Sequence, residues 1–259
     1  MPACIMAPFF IGPRVMTYGK GDGRKDFNQS KQPIGDRELC LMNSRAREWL
    51  LRYWDFPLFA SMMGHHHVHL RNAAVLEAGC GSGYSTLMIH ERFHPRSLDA
   101  FDLDPGQVEL ARTRGIAARF FVGDVTNTHL DPSLYDAVFV CGVLHHCPNW
   151  RAGIGEVARL LKGGGLLFLE EPTRPFVRFE KCIIGSSPAN ESWRGVSAVR
   201  TEMPSAGLAI VEERLLYFGL FRSLMCVKMV GRPECERTIA SILLRSEAEE
   251  LAHGQGVPA

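Results

Sequence analysis

The sequence predicts an α/β protein, a parallel sheet with helices on both faces. Three observations predict it. Between residues 73 and 172, short apolar runs of strand length alternate with segments whose apolar residues recur every three or four positions. The first run ends in a glycine-rich turn that opens a helix. The chain has 259 residues, 46% apolar and 22% charged, which suits one such domain with a modest appendage.

The elements follow in order. Residues 1–35 mix Pro, Gly and Lys without a period (Thr17-Tyr-Gly-Lys-Gly-Asp-Gly-Arg-Lys) and read as an arm. From Asp36 to about Gly64 the pattern is helical, with Leu39, Met42, Ala46, Trp49, Leu50 and Tyr53 at three- and four-residue steps. Pro57 separates this helix from an apolar one over Leu58 to Met63. Ala73 to Gly79 is the first strand, and Tyr84 to Phe93 a helix. Ser97 to Asp104 is the second strand. It leads into a helix with Asp104 at the N-cap, Pro105 at the first helical position and Gln107 where a capping box wants Glu or Gln. Arg119 to Asp124 and Tyr135 to Val143 are the third and fourth strands. Trp150, Ile154, Val157 and Leu161 mark one helical face that ends at Gly163-Gly-Gly, and Gly165 to Pro172 is a fifth strand. Residues 173–195 are mixed, and Val196 to Ala206 reads as a helix despite Pro204. Leu208 to Tyr217 and Phe221 to Val230 form an antiparallel, hairpin-like pair around Gly219. An amphipathic tail runs from Glu234 to Ala252.

Charge and cysteine usage exclude several classes. Lys and Arg number 29 against 28 Asp and Glu, so no basic excess points to nucleic acid. The longest stretches without a charged residue are about 15 long, such as Phe56 to Leu70. A membrane span needs ~18 or more nearly apolar residues, so none is expected. The N-terminus lacks a basic region and is broken by Pro2 and Pro8, a poor signal peptide. Eight cysteines lie scattered with no Cys-x-x-Cys pair, which supports free thiols and a cytoplasmic location.

The sharpest motif is Val75-Leu-Glu-Ala-Gly79-Cys-Gly81-Ser-Gly83-Tyr, after a strand and opening a helix. Glycines there let a ligand approach the backbone, and a helix N-terminus attracts an anionic group. A dinucleotide fingerprint would put its third glycine at position 84, which is Tyr84, so a nicotinamide-dependent oxidoreductase is disfavoured. Asp102 lies 23 residues after Gly79 at the end of the second strand, where a carboxylate can accept both hydroxyls of a ribose. Asp124, 22 residues further on, ends the third strand and can accept from an adenine amino group. Singly, each Asp reads as a helix cap or turn residue; in this order, they read as a nucleoside pocket.

Residues from about 73 to 172 resemble the class I S-adenosylmethionine-dependent methyltransferases, in the small-molecule branch labelled type 11 or 12. Besides the glycine loop, the matching segments are Phe101-Asp-Leu-Asp-Pro-Gly-Gln-Val-Glu-Leu-Ala-Arg, Val122-Gly-Asp, Tyr135-Asp-Ala-Val-Phe-Val-Cys-Gly-Val-Leu-His-His and Glu156-Val-Ala-Arg-Leu-Leu-Lys-Gly-Gly-Gly. Gly163 stands where the family usually has Pro. The resemblance implies a Rossmann-like, doubly wound seven-stranded sheet with its last strand antiparallel, plus an N-terminal helical cap. It divides the chain into an arm and cap over 1–70, a methyltransferase domain over 71–233 and a C-terminal helix or tail over 234–259. It implies S-adenosyl-L-methionine as cofactor and donor-binding roles for Glu77, Gly79, Cys80, Gly81, Gly83, Asp102, Leu103, Asp124, Val125 and Cys141, with Gly142 beside the sulfonium.

Methyl transfer is an in-line displacement, so alignment supplies most of the catalysis and a base is needed only if the acceptor must lose a proton. His145, His146 and Glu170 are the candidate catalytic residues. Against that, His145 could pack under its loop, His146 could be a solvated neighbour, and Glu170 or Glu171 could instead bind a substrate cation or form a structural ion pair. The Asn/Asp-Pro-Pro-aromatic signature of DNA and protein amide methylation is replaced by Cys141-Gly-Val-Leu, and no catalytic metal is expected. His65-His-His-Val-His69 reads as a solvated linker, and the cysteines as small buried fillers. Helices 37–64 and the insert 173–207 bring Trp49, Tyr53, Trp54, Phe56, Phe59, Phe176, Phe179 and Trp193, more often core than pocket. Where they line a pocket, the acceptor is a small, largely apolar molecule. The same donor-binding residues also fit a protein that holds the donor or its demethylated product without turnover.

Overall fold

The computed structural model describes residues 39–40, 42–183, 193 and 195–230, with the side chains of 179–183 left aside. The arm at 1–35 and the tail from Glu234 lie outside the described residues. Seven strands run β1 (Ala74–Ala78), β2 (Ser97–Asp102), β3 (Arg119–Val122), β4 (Tyr135–Cys141), β5 (Leu161–Pro172), β6 (Leu208–Leu216) and β7 (Phe221–Lys228). They make one sheet in the order β3-β2-β1-β4-β5-β7-β6. The first five are parallel, and β7 is antiparallel to both β5 and β6. This is the expected α/β sheet with its antiparallel last strand.

Side-chain alternation divides the core between the two faces. On one face, Leu76 of β1, Val138 and Val140 of β4, and Leu167 and Leu169 of β5 pack on α5 (Trp150–Leu160) and α7 (Val196–Glu202). On the other, Val75, Phe139, Phe168 and Met225 meet α2 (Phe56–His65) and α3 (Tyr84–Phe93). Phe139 and Phe168 stack 4.7 Å apart, and Phe56, Phe59 and Phe93 close around Phe139 at 6.1, 5.8 and 5.7 Å. The cap helix therefore shares a core with the sheet. The helix α4 (Pro105–Arg112) covers β2 and β3 through Val108 and Ala111. Asp104 caps it, its Oδ1 accepting from Gly106 N at 2.7 Å.

Two expectations are corrected at the cap. The helix α1 (Arg45–Leu50) does not stop at Pro57; it passes through one π turn, Leu51–Asp55, straight into α2, with Pro57 in the first turn of α2 where its missing N–H costs nothing. The extra residue of the π turn rotates the aromatic stripe. Phe56 and Phe59 go inward, while Trp49, Tyr53 and Trp54 are 53%, 60% and 45% exposed. The histidine run is also not merely solvated: His65 Nδ1 and His66 Nε2 stand 3.2 and 2.9 Å from the Glu212 carboxylate on β6. Elsewhere, α6 (Arg174–Ile183) fills the first part of the segment read as mixed, and α7 ends before Pro204. The fifth strand starts at Leu161, so the glycine run lies inside β5 rather than ending the helix before it.

Candidate functional site

Successive glycines carry the loop from β1 into α3. Gly79, Gly81 and Gly83 have φ of +77°, +51° and +85°, the left-handed region that side chains rarely adopt. A Cβ on Gly79 would also come within 2.3 Å of Val143 Cγ2, so this position excludes any side chain. At Gly81 the nearest atom to a Cβ is Gln107 Oε1 at 3.9 Å, leaving open room above the loop. Asp102 holds the loop in shape: its Oδ2 accepts from Gly81 N at 2.8 Å and its Oδ1 from Asp104 N at 2.9 Å. A carboxylate offers about four lone-pair positions, so two remain for hydroxyls. Asp124, expected beside adenine, accepts from the backbone N and hydroxyl of Thr126 at 2.8 and 2.7 Å through Oδ1 alone. Leu103 is half-buried, and Val125 is buried in the core under α5.

Glu77 ends β1 fully buried. Its Oε2 accepts from Thr86 Oγ1 at 2.5 Å, and its Oε1 is buried with no hydrogen bond. Burial pushes the carboxyl up to about 7, the Ser85 and Thr86 hydroxyls pulling against it. A buried acid with one oxygen lacking a partner beside an open glycine loop fits an ammonium group, which is what the amino end of S-adenosylmethionine carries. The donor set therefore fits that cofactor. Cys80 and Cys141 are buried, and burial holds both thiols protonated.

The expected catalytic residues fall on two sides of the sheet edge. Glu170 and Glu171 are consecutive on β5 and point to opposite faces. Glu171 satisfies the loop after β4, its Oε1 accepting from Val143 N at 2.9 Å and Leu144 N at 2.7 Å. Its Oε2 stands 2.8 Å from His145 Nδ1. In a neutral ring that donates from Nδ1 to Glu171, Nε2 is the nitrogen that bears the lone pair. His146 packs on the His145 ring with centroids 3.8 Å apart; burial and that ring push it down to about 2, so it takes up no proton near neutrality. Glu170 faces the cap instead. In the strand ladder it lies opposite Cys141 and Ser223, giving a row across β4, β5 and β7; Glu77 of β1 is on the same face but level with Phe139, two residues before that row.

Arg47 and Asp55 of the cap, and Tyr217 after β6, meet this row, and the sequence pattern had not singled them out for chemistry. Arg47 Nη1 donates to Asp55 Oδ2 at 2.9 Å, and the Tyr217 hydroxyl donates to Asp55 Oδ1. Of the aromatic residues, Trp193 packs edge-on to Trp150 in the core and Phe176 on Phe221, and Phe179 lies outside the described side chains. No group of three His, Cys, Asp or Glu able to hold a metal occurs among the described residues.

A family model described as a methyltransferase domain matches residues 75–165. Malonyl-[acyl-carrier protein] O-methyltransferase of Serratia marcescens is 33% identical over 93 residues, 36% of each chain. A phthiotriol/phenolphthiotriol dimycocerosates methyltransferase of Mycobacterium ulcerans is 29% identical over 136 residues, 51% of this chain and 50% of the relative. The chain thus spans between a third and a half of the length of these relatives. A chain from the solved complex of the Haloferax volcanii Trm112 methyltransferase activator with a methyltransferase shares the fold, with a TM-score of 0.61 at 18% identity over 72% of this chain and 95% of that one. The glycine loop, the strand-end acids and the antiparallel seventh strand agree with these matches: residues 75–165 are similar to a methyltransferase domain, and the sheet has the fold of the solved methyltransferase-like structures.

Proposed function

We propose that the protein transfers a methyl group from S-adenosylmethionine to a small, largely apolar organic acceptor. The observation that carries this reading is the shared sheet face of Glu77, Cys141 and Glu170, which sets an acid suited to the donor's amino end near a polar cluster two strands across and two residues further along, ~12 Å by strand spacing and rise. In this reading Glu77 holds the ammonium group and the Gly79–Gly83 loop, with Cys80, lies under the donor. Asp102 with Leu103 holds the ribose, Asp124 with Val125 the adenine, and Cys141 with Gly142 borders the reactive end. When bound, the donor supplies an electrophilic methyl group on a sulfonium. The chain's own work is to align an acceptor with it and to exclude water.

The acceptor's apolar body is assigned to a groove of about 510 Å³ between the cap and the β6–β7 turn, lined by Tyr53, Trp54, Leu58, Leu215, Leu216 and Tyr217. Tyr217 joins groove to site, since its ring lines the first and its hydroxyl reaches Asp55 in the second. Where an acceptor must lose a proton, His145 Nε2 is the nitrogen placed to take it, with Glu171 holding Nδ1. His146 then serves as the ring packed behind it, and Glu170 meets the acceptor on the other side of Cys141.

The test is release of S-adenosylhomocysteine from S-adenosylmethionine with a panel of small hydroxy, amino and carboxy acceptors. Turnover with at least one, above solvent controls, is expected. Tight donor binding with no turnover across the panel would favour a protein that binds the donor without catalysis. In His145→Ala, turnover should fall more than tenfold with donor affinity within threefold; an equal loss of both would make His145 a structural residue.

A further inference from the structure

Behind Cys141 lies a buried polar cluster that neither the aromatic core nor the donor needs. It holds one cation, Arg47, and two carboxyls, Asp55 and Glu170, drawn from the cap and from β5. Arg47 and Tyr217 both hydrogen-bond Asp55. Glu170 is less well served: Arg47 Nη2 stands 3.8 Å from its Oε1, beyond hydrogen-bond reach, and that buried oxygen accepts no bond. The Ser223 hydroxyl is 3.4 Å from Oε2. Burial and the Asp55 carboxylate push the Glu170 carboxyl well above the usual range, outweighing Arg47 and Ser223, so it stays protonated. Arg47 engages one of its five N–H groups in a hydrogen bond among the described residues. Two under-used donors, one cationic and one a neutral acid, therefore stand side by side, the arrangement that binds an oxyanion.

We propose that Arg47 and Glu170 form a carboxylate-binding subsite for the acceptor, with Asp55, Tyr217 and Ser223 as the residues that position them. The proposal rests on the methyl-transfer reading and narrows its acceptor to an apolar molecule bearing a carboxylate. Its apolar body lies along the groove at Tyr217, and its carboxylate takes the place of the hydrogen bonds that Glu170 Oε1 and Arg47 lack. The guanidinium fork matches a carboxylate better than it matches a hydroxyl or an amine.

Calorimetric titration of the full chain with 4-butylbenzoate, 4-butylphenol and 4-butylbenzylamine tests this, with and without saturating S-adenosylhomocysteine. The benzoate should bind at least tenfold more tightly than the other two. Arg47→Met should remove that preference; because it strands Asp55 in the interior, the pair Arg47→Met with Asp55→Asn is measured beside it. Glu170→Gln should keep the benzoate affinity within threefold, because the amide is also neutral and also donates. Equal binding of benzoate and phenol, or preference for the amine, would overturn the proposal. So would a tenfold gain in benzoate affinity in Glu170→Gln, which would mean that Glu170 is ionised in the free protein. Failure of S-adenosylhomocysteine itself to bind counts against the methyl-transfer reading instead, and the titrations without it judge the subsite on its own.

Discussion

Glu77 shows how one side chain sets a pH dependence. Its carboxyl sits at about 7 in the folded protein against 4.5 for the free side chain. The folded state therefore holds more protons than the unfolded chain between those values, and stability falls as pH rises through that window, by up to about 3 kcal/mol. Binding of a group with an ammonium end works the other way, because it selects the ionised acid. Affinity for S-adenosylhomocysteine should rise roughly eightfold from pH 6 to 7.5 as the ionised fraction grows. Calorimetry on Glu77→Gln should show weaker, flat binding; a slope that survives the substitution would place the titration elsewhere. Gly79→Ala should lose about 2 kcal/mol and most donor affinity, since it meets both positive φ and Val143. At Asp102 the expected loss is compound: Asp102→Ala frees two loop amides and, on the proposed reading, removes the ribose partner, so donor affinity should fall more than tenfold while the far-ultraviolet circular dichroism stays native. These residues were legible in the sequence because each ends a strand at a regular interval. Arg47, Asp55 and Tyr217 were not, because 162 residues separate the two partners of the Tyr217–Asp55 bond and no local pattern relates them.

Among the elements, the strands and helices from β1 to β4 were readable from period alone, Tyr84–Phe93 to the residue, whereas the start of β5 and the helix Arg174–Ile183 were not. The cap was not. A π turn leaves an apolar period that still looks helical on both sides, so the eye breaks the helix at Pro57, whereas the chain absorbs Pro57 in a first turn. The loop after β4 depends on one carboxylate, for Glu171 serves two close backbone amides and an imidazole. Glu171→Ala should cost about 3 kcal/mol by leaving those buried donors without partners. Hydrogen exchange at Val143 and Leu144 should quicken more than global unfolding explains; uniform quickening would show that the loop does not depend on that carboxylate. The motif at Glu156 has an equally local reason. Its carboxylate accepts from Thr128 N at 2.8 Å and pairs with Arg159, which holds it down to about 2, so the motif ties α5 to the loop after β3.

For the whole molecule, cap and sheet share the Phe139 cluster, so they should melt together. Phe139→Ala should cost 3–5 kcal/mol in one cooperative transition; separate melting of cap and sheet would contradict the shared core. Saturating donor product, at 100 times its dissociation constant, should add about 2.7 kcal/mol, which at this size raises the midpoint by roughly 5–10 °C. NADH should not, given Tyr84 in place of a third glycine. The fold class was legible because strand and helix alternate along the parallel part of the sheet, whereas a pocket closed by the cap and the last hairpin is assembled from segments that the pattern describes separately. The two neighbouring acids of β5 bring out a last consequence. One faces the Arg47–Asp55 cluster of the cap and the other the loop after β4, so substitution at 170 alters the cluster while the loop tied to 171 stays in place. A single-residue insertion between Leu166 and Leu169, where pairing with β4 and β7 is regular, would exchange the two and undo both at once, so that stretch is open to change in composition and closed to change in length.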